Sequence, residues 1–305
     1  MAVLELLSPI ALPEDVIDYI RSIFVMANEK LCARIGQQPN VHEESLDLAF
    51  LDAISSYSGP HRTVSDTVVD IDVHFVGGGW HFERLEVADI AIIATLRRLS
   101  ALLRTKVLLL QSKRLYPREA DFVEAHGLPR PGEFRYLVRP DGVDIRSPSS
   151  FRFDLECCYK ALQIGDRQWA AIAGFESSYR IPIHYLLYHP ADVPSEMSVP
   201  VQLPLPERQA LSVGARVMSA ELVRAKTTAY PRNYAPSFQE LADSAAAPGT
   251  SMPQFMVDDL LGCREGYVPE DFSRDLGIQN IFYARDWPIV AAIVIDIDLA
   301  TVDQQ

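Results

Sequence analysis

The sequence predicts an α/β protein in which a helical N-terminal part is followed by a β-sheet. Apolar residues recur at helical spacing through about the first 60 residues. The period then changes to two, and the segments TVVDIDVHFV, ADIAIIATL and KVLLLQSKRL are typical of β-strands. The segments QWAAIAGF and IPIHYLLYHP indicate a further helix and a further strand. The predicted core is therefore a helix, a three-stranded meander, a helix and a strand, with an additional C-terminal α/β segment.

The N-terminal helices are LPEDVIDYIRSIFVMANEKLCARI and VHEESLDLAFLDAISSY, separated by the break QQPN. Three glycines at 77–79 supply a turn, so we expect the first two strands to form a hairpin. The third strand contains four consecutive apolar residues, Val107 to Leu110. Such a run predicts burial on both faces, as in a central strand.

The remaining segments alternate between helical and strand-like patterns. Residues 117–150 are rich in Pro, Gly and Arg and predict a loop, and SFRFDLECCYKALQ predicts a helix that buries Cys157 and Cys158. Helices are also predicted in PERQALSVGARVMSAELVRA and PQFMVDDLLGC, and a last strand in PIVAAIVIDID. The expected organisation is an N-terminal helical extension over 1–40, a core over 41–190 and an α/β region over 191–305. Whether the last region is separate or folds back onto the first sheet stays open.

Composition predicts a soluble, cytoplasmic protein. Hydrophobic residues make up 48% of the 305 residues and charged residues 23%, and we expect neither a secretory signal nor a membrane partner. The four cysteines lack CxxC spacing, which favours a reducing compartment. The net charge of -13 would by itself repel nucleic acid. Residues 97–118, however, contain seven basic residues and no Asp or Glu.

Polar residues are predicted to converge around the end of the third strand. Gln111 and Lys113 are two apart, so on a strand they point to the same face. Antiparallel pairing with the preceding strand would bring Asp89 beside Gln111. On the preceding helix Glu43 falls near the centre of the apolar stripe and Glu44 toward its edge. A carboxylate in that position needs a partner such as a divalent cation, although both glutamates would also stabilise the helix dipole without one.

The segments HEESLD, LEVADIAI and VLLLQSKRL, in this order, resemble the PD-(D/E)xK nuclease superfamily, which has a restriction-endonuclease-like core. The sequence QSKR is similar to the QxK form found in Mrr-type restriction endonucleases and prokaryotic defence nucleases. The resemblance covers roughly residues 40–190. The chain has Ala88 in place of the motif's Pro, a residue that is often missing in the superfamily, and the neutral Gln111 in place of Glu.

The resemblance implies a Mg²⁺- or Mn²⁺-dependent nuclease or endonuclease acting on DNA, as an effector of prokaryotic antiviral defence or restriction; endo versus exo action stays open. Its metal ligands would be Asp89, the Gln111 side-chain oxygen, the Ser112 carbonyl and Glu43 or Glu44. Lys113 would position or deprotonate the attacking water. The DNA backbone would be held by Arg97, Arg98, Arg104, Lys106, Arg114 and Arg118.

The alternative is a non-catalytic or partner-regulated assembly subunit with a nuclease-like fold. An acidic surface suits protein partners better than free DNA. In either case we expect a further protein partner or self-association.

Overall fold

The computed structural model describes residues 10–75, 87–118, 149–199, 211–243, 246–282 and 289–300. The predicted glycine turn at 77–79 and most of the predicted loop at 117–150 lie outside these residues. Within them, no helix has both the length and the apolar composition needed to cross a membrane.

The two predicted N-terminal helices are confirmed as α1 (Glu14–Gln37) and α2 (Glu43–Ser55). Each buries an apolar stripe at helical spacing, including Ile20 and Phe24 on α1 and Phe50 on α2. The two helices pack against each other, and α2 also contacts the sheet. Glu43, the first residue of α2, is thereby carried to the sheet.

The strands are β1 (Gly59–Arg62), β2 (Val68–Phe75), β3 (Ile90–Arg98), β4 (Ala101–Arg114), β5 (Ser149–Phe153), β6 (Ile183–Tyr188), β7 (Asp192–Val193), β8 (Ser195–Val199), β9 (Leu211–Ser212), β10 (Arg216–Ser219), β11 (Thr250–Ser251) and β12 (Ala291–Leu299). The later helices are α3 (Arg167–Tyr179), α4 (Ala220–Thr227), α5 (Phe238–Leu241), α6 (Met252–Gln254), a π-helix (Phe255–Leu261) and α7 (Leu276–Phe282). The chain is therefore mixed α/β, as the sequence predicted.

The main sheet has the strand order β1-β2-β12-β3-β4-β6-β10-β11. The predicted meander is wrong at its first step, because β12 lies between β2 and β3, antiparallel to β2 and parallel to β3. Three buried isoleucines on β12 (Ile293, Ile295, Ile297) explain why it takes an interior position. Strands from the C-terminal region thus belong to the same sheet as β2, β3 and β4.

Strand β4 occupies the predicted central position. It pairs antiparallel with β3 and parallel with β6, and Leu108, Leu109 and Leu110 are fully buried. Helix α3 lies between β4 and β6 in the chain, as expected for a crossover between parallel strands. The buried run fixes the strand on both sides up to Arg114.

Two predicted helices are corrected. The segment SFRFDLECCYKALQ contains β5 followed by turns, and its backbone bonds to distant residues, as in Tyr159 N–H to Pro236 O. Cys157 is buried and Cys158 half-buried, but neither is on a helix. In the segment predicted over PERQALSVGARVMSAELVRA, the described part contains β9 and β10 before α4 begins, because β10 completes a ladder with β6.

Candidate functional site

The predicted convergence of Asp89 and Gln111 is observed. Asp89 immediately precedes β3, and its backbone N–H donates to Leu110 O at 2.8 Å. Gln111 Nε2 donates to Asp89 Oδ2 at 2.5 Å, and the Ser112 backbone N–H donates to the same oxygen at 2.7 Å. All three residues are buried. One carboxylate oxygen therefore anchors two consecutive residues of β4.

The helix glutamate that reaches this cluster is Glu43. Its Oε2 lies 3.4 Å from Lys113 Nζ, and its Oε1 accepts a hydrogen bond of 2.9 Å from the Arg114 backbone N–H. Glu44 is exposed, because the next residue on a helix points about 100° away. The structure thus brings Glu43, and not Glu44, to the end of β4.

Lys113 is buried, with a side-chain exposure of only 5%. Burial by itself lowers its pKa, but the nearby Glu43 and Asp89 carboxylates outweigh burial and raise the pKa above its usual value. The ammonium therefore stays charged at neutral pH. Such a group can hold a water or offset negative charge, but it is a poor base, which disfavours the deprotonating role considered from the sequence.

Asp47 is a member of the cluster that sequence reasoning missed. Its Oδ1 accepts hydrogen bonds from Ser112 Oγ at 2.5 Å and from Tyr188 Oη at 2.6 Å. Burial, then the nearby Asp89 carboxylate, raises the pKa of Asp47 well above its usual range. The available signal was its spacing, since Asp47 is four residues after Glu43 and shares its helix face.

The basic residues of 97–118 are separated by the fold. Arg104, Lys106 and Arg114 are buried: Arg104 Nη1 contacts Cys263 Sγ at 3.1 Å, and Lys106 Nζ donates to Leu260 O at 2.5 Å. These three do not form the solvent-facing track that the sequence predicted, because β4 points their side chains into the interior.

Three residues of the basic stretch remain at or near the surface. Arg97 pairs with Asp296 at 2.8 Å, and Arg118 pairs with Asp154 at 2.8 Å and also with Glu156. Arg98 is exposed at the end of β3. Two of the three guanidinium groups are thus already neutralised by carboxylates of the chain.

A divalent cation would find oxygen ligands at this site. The buried Gln111 Oε1 has no hydrogen-bond donor among the described residues. The amide orientation is physically required, since its NH₂ group faces the Asp89 carboxylate. The Asp89 carboxylate, the Gln111 oxygen, the Ser112 carbonyl and Glu43 are hard oxygen groups that fit Mg²⁺ or Mn²⁺. Within the described residues, no three His, Cys, Asp or Glu side chains group closely enough to hold a metal, so the amide and the carbonyl would have to complete the set.

No family model matches the chain, and neither the curated proteins nor the solved structures contain a significant match to it.

Proposed function

We propose that this protein is a metal-dependent nuclease of the PD-(D/E)xK class that hydrolyses DNA as an effector of antiviral defence or restriction. The observation that carries the proposal is the buried Gln111 oxygen that lacks a donor, beside an Asp89 carboxylate that also interacts electrostatically with the Lys113 ammonium. An uncompensated buried acceptor is costly, and a bound cation would satisfy it. All four cysteines are free thiols, which supports placing the protein in the cytoplasm.

The residues take distinct roles in the proposed reaction. Asp89, Gln111 and the Ser112 carbonyl would hold a Mg²⁺ or Mn²⁺ ion, with Glu43 as an additional ligand. When bound, the ion would polarise the phosphate and lower the pKa of a coordinated water. Lys113, kept charged by its two carboxylate neighbours, would offset the negative charge that develops on the phosphate.

DNA contacts fall to the basic residues that remain near the surface, Arg97, Arg98 and Arg118. Arg97 and Arg118 are already paired with Asp296 and Asp154, so a DNA phosphate would have to replace these carboxylates as the partner of each guanidinium group. The net charge of -13 also opposes long-range attraction of DNA. We therefore infer weak, salt-sensitive DNA binding that a protein partner would strengthen.

The test is cleavage of plasmid DNA by the purified chain in Mg²⁺ or Mn²⁺. We expect Lys113→Met to lower the cleavage rate by at least about 100-fold, because the substitution removes the charge next to the phosphate. Lys226→Met is the matched control, since Lys226 donates to Ala242 O and Asp243 outside the site. Equal cleavage by the wild type and Lys113→Met would contradict the proposal.

A second candidate is a non-catalytic assembly subunit, and one observation favours it. Asp89, Glu43 and Asp47 already accept hydrogen bonds or an ion pair from Gln111, Ser112, Lys113 and Tyr188. Such a network can hold the sheet and the helix together without a metal.

Metal titration distinguishes the two candidates. A nuclease site predicts that Mn²⁺ raises the melting temperature of the wild type and has no effect on Asp89→Ala. The assembly subunit predicts that Mn²⁺ shifts neither protein.

A further inference from the structure

Arg114, predicted from the sequence to contact nucleic acid, is one of the largest fully buried side chains in the described chain. Its Nη2 donates to Pro39 O at 2.5 Å, and its Nη1 donates to Val41 O. The guanidinium carbon lies 4.6 Å from the centre of the Tyr116 ring, in cation–π geometry. The planar group is therefore held from its edge and from its face.

The carbonyls that Arg114 binds belong to the short connection between α1 and α2. That connection ends at His42, and Glu43 is the first helical residue after it. The Arg114 backbone N–H also donates to Glu43 Oε1 at 2.9 Å. One residue of β4 thus holds both the backbone that leads to Glu43 and the Glu43 carboxylate itself.

A helix N-terminus next to a loop can shift by several tenths of an ångström unless its backbone is fixed, and such a shift matters at a metal site. Arg114 supplies that fixation through two charge-assisted hydrogen bonds in a rigid fork, which a lysine cannot reproduce. We propose that Arg114 is a positioning residue that sets the location of the Glu43 carboxylate as a metal ligand, an inference that rests on the proposed function.

The experiment is a double-mutant cycle read out as Mn²⁺ affinity by calorimetric titration of the full chain. We expect Arg114→Lys to weaken Mn²⁺ binding about tenfold, as is typical when a group that orients a metal ligand is lost. Glu43→Gln should weaken Mn²⁺ binding by a similar factor. The double variant should bind no more weakly than Glu43→Gln alone, because Arg114 acts only through Glu43.

Arg216→Lys is the matched control. Arg216 on β10 also uses its guanidinium to hold two loop carbonyls, Pro248 O and Gly249 O, both at 2.6 Å. Its replacement removes the same kind of bidentate contact away from the site. We expect it to lower the melting temperature but to change the Mn²⁺ affinity less than about twofold.

A second variant covers the case in which Arg114→Lys does not fold. Tyr116→Leu keeps the guanidinium but removes the ring beneath it, and it should weaken Mn²⁺ binding about threefold. Wild-type Mn²⁺ affinity in Arg114→Lys, or in Tyr116→Leu if Arg114→Lys does not fold, would overturn the positioning role and leave the proposed function standing. Additive losses in the double variant would also overturn it. Absence of Mn²⁺ binding by the wild type would contradict the proposed function itself, and the positioning role with it.

Discussion

Asp47 joins three elements of the candidate site through one carboxyl group. It is carried by α2 and accepts hydrogen bonds from Ser112 on β4 and from Tyr188 on β6. The pKa of Asp47 is raised because a bare carboxylate would be costly in the interior, so sharing or holding a proton stabilises the buried group. Asp47 thus stabilises the contact that brings Glu43 to the sheet.

We expect Asp47→Ala to lower the free energy of unfolding by about 2–4 kcal/mol. The substitution leaves the buried Ser112 and Tyr188 hydroxyl groups without their acceptor, and such groups are costly when unpaired. Urea denaturation followed by circular dichroism measures the change. Asp52→Ala, at an exposed position of the same helix, is the control and should change the free energy by less than about 0.5 kcal/mol. Equal effects of the two substitutions would mean that the Asp47 contacts contribute nothing.

His189 is a second buried titratable residue, located just after β6. Its two ring nitrogens are satisfied, since Nε2 lies 2.5 Å from Tyr159 Oη and Nδ1 lies 2.7 Å from Gly214 O. Burial lowers the pKa of His189 to about 3, and the hydrogen bond to Gly214 opposes this only in part. The ring is therefore neutral in the folded protein and part of the core.

This lowered pKa predicts acid sensitivity. In the unfolded chain the imidazole titrates near its ordinary pKa of about 6.5, so below that pH the unfolded state binds a proton that the folded state does not. Stability should therefore fall by up to about 1.4 kcal/mol per pH unit between about pH 6.5 and pH 3 on account of this group. Urea denaturation at several pH values gives the free energy of unfolding as a function of pH. This free energy should depend less steeply on pH in His189→Gln than in the wild type. His61→Gln, at an exposed position of β1, is the control. An unchanged slope in His189→Gln would refute the prediction.

At the scale of elements, β12 has the largest effect on the architecture. It forms ladders along its length with β2 on one side and β3 on the other. Ile295 lies at its centre, opposite Ile71 and Ala94, and is fully buried. By contrast, β1 at the edge of the sheet contains Pro60, which a central strand would not tolerate because proline has no backbone N–H to donate.

We expect Ile295→Ala to destabilise the protein by about 2–4 kcal/mol, because it creates a cavity in the core that covers this face of the sheet. Val294→Ala is the control on the same strand. Because Val294 is only half-buried, this substitution should lower the free energy of unfolding by less than about 1.5 kcal/mol. The two free energies are compared by urea denaturation. A Val294 effect as large as that of Ile295 would contradict the difference in burial between the two faces of β12.

At the scale of the whole molecule, the main sheet is assembled from both ends of the chain. Residues 291–299 separate β2 from β3, and β10 and β11 extend the sheet beyond β6. Helix α1 also contacts α6 and the π-helix. The region predicted as the nuclease core therefore shares its sheet with later segments.

A fragment of residues 1–190 should consequently fail to fold cooperatively. Without β12, the backbone groups of β2 and β3 that face it lose their partners, and Ile71 and Ile92 lose apolar contacts. Circular dichroism and urea denaturation of this fragment, compared with the full chain, test the expectation. A sharp unfolding transition of the fragment would contradict it.

Two features of the structure could be predicted from local sequence pattern: the central strand and the adjacency of Asp89 and Gln111. The apolar run Val107–Leu110 predicted a central strand because only a strand covered on both faces buries consecutive residues. The 22-residue separation of Asp89 and Gln111 predicted their adjacency, since β3 and β4 are joined by a tight turn at Leu99 and Ser100, both with positive φ. In each case the interacting residues are close in sequence, or the signal lies within one segment.

The tertiary structure decided what depends on distant partners. It placed β12 between β2 and β3, selected Glu43 over Glu44, added Asp47 to the cluster and buried Arg104, Lys106 and Arg114. A basic run in the sequence predicts a charged surface only if its side chains face solvent. Here Arg114 instead donates to the carbonyls of Pro39 and Val41, and Lys106 to that of Leu260, inside the protein. The sequence by itself determined which apolar faces of helices and strands must be covered. The packing of distant segments determined which element covers each face and which charged side chains are buried with it, because periodicity carries information about a face and none about the element that covers it.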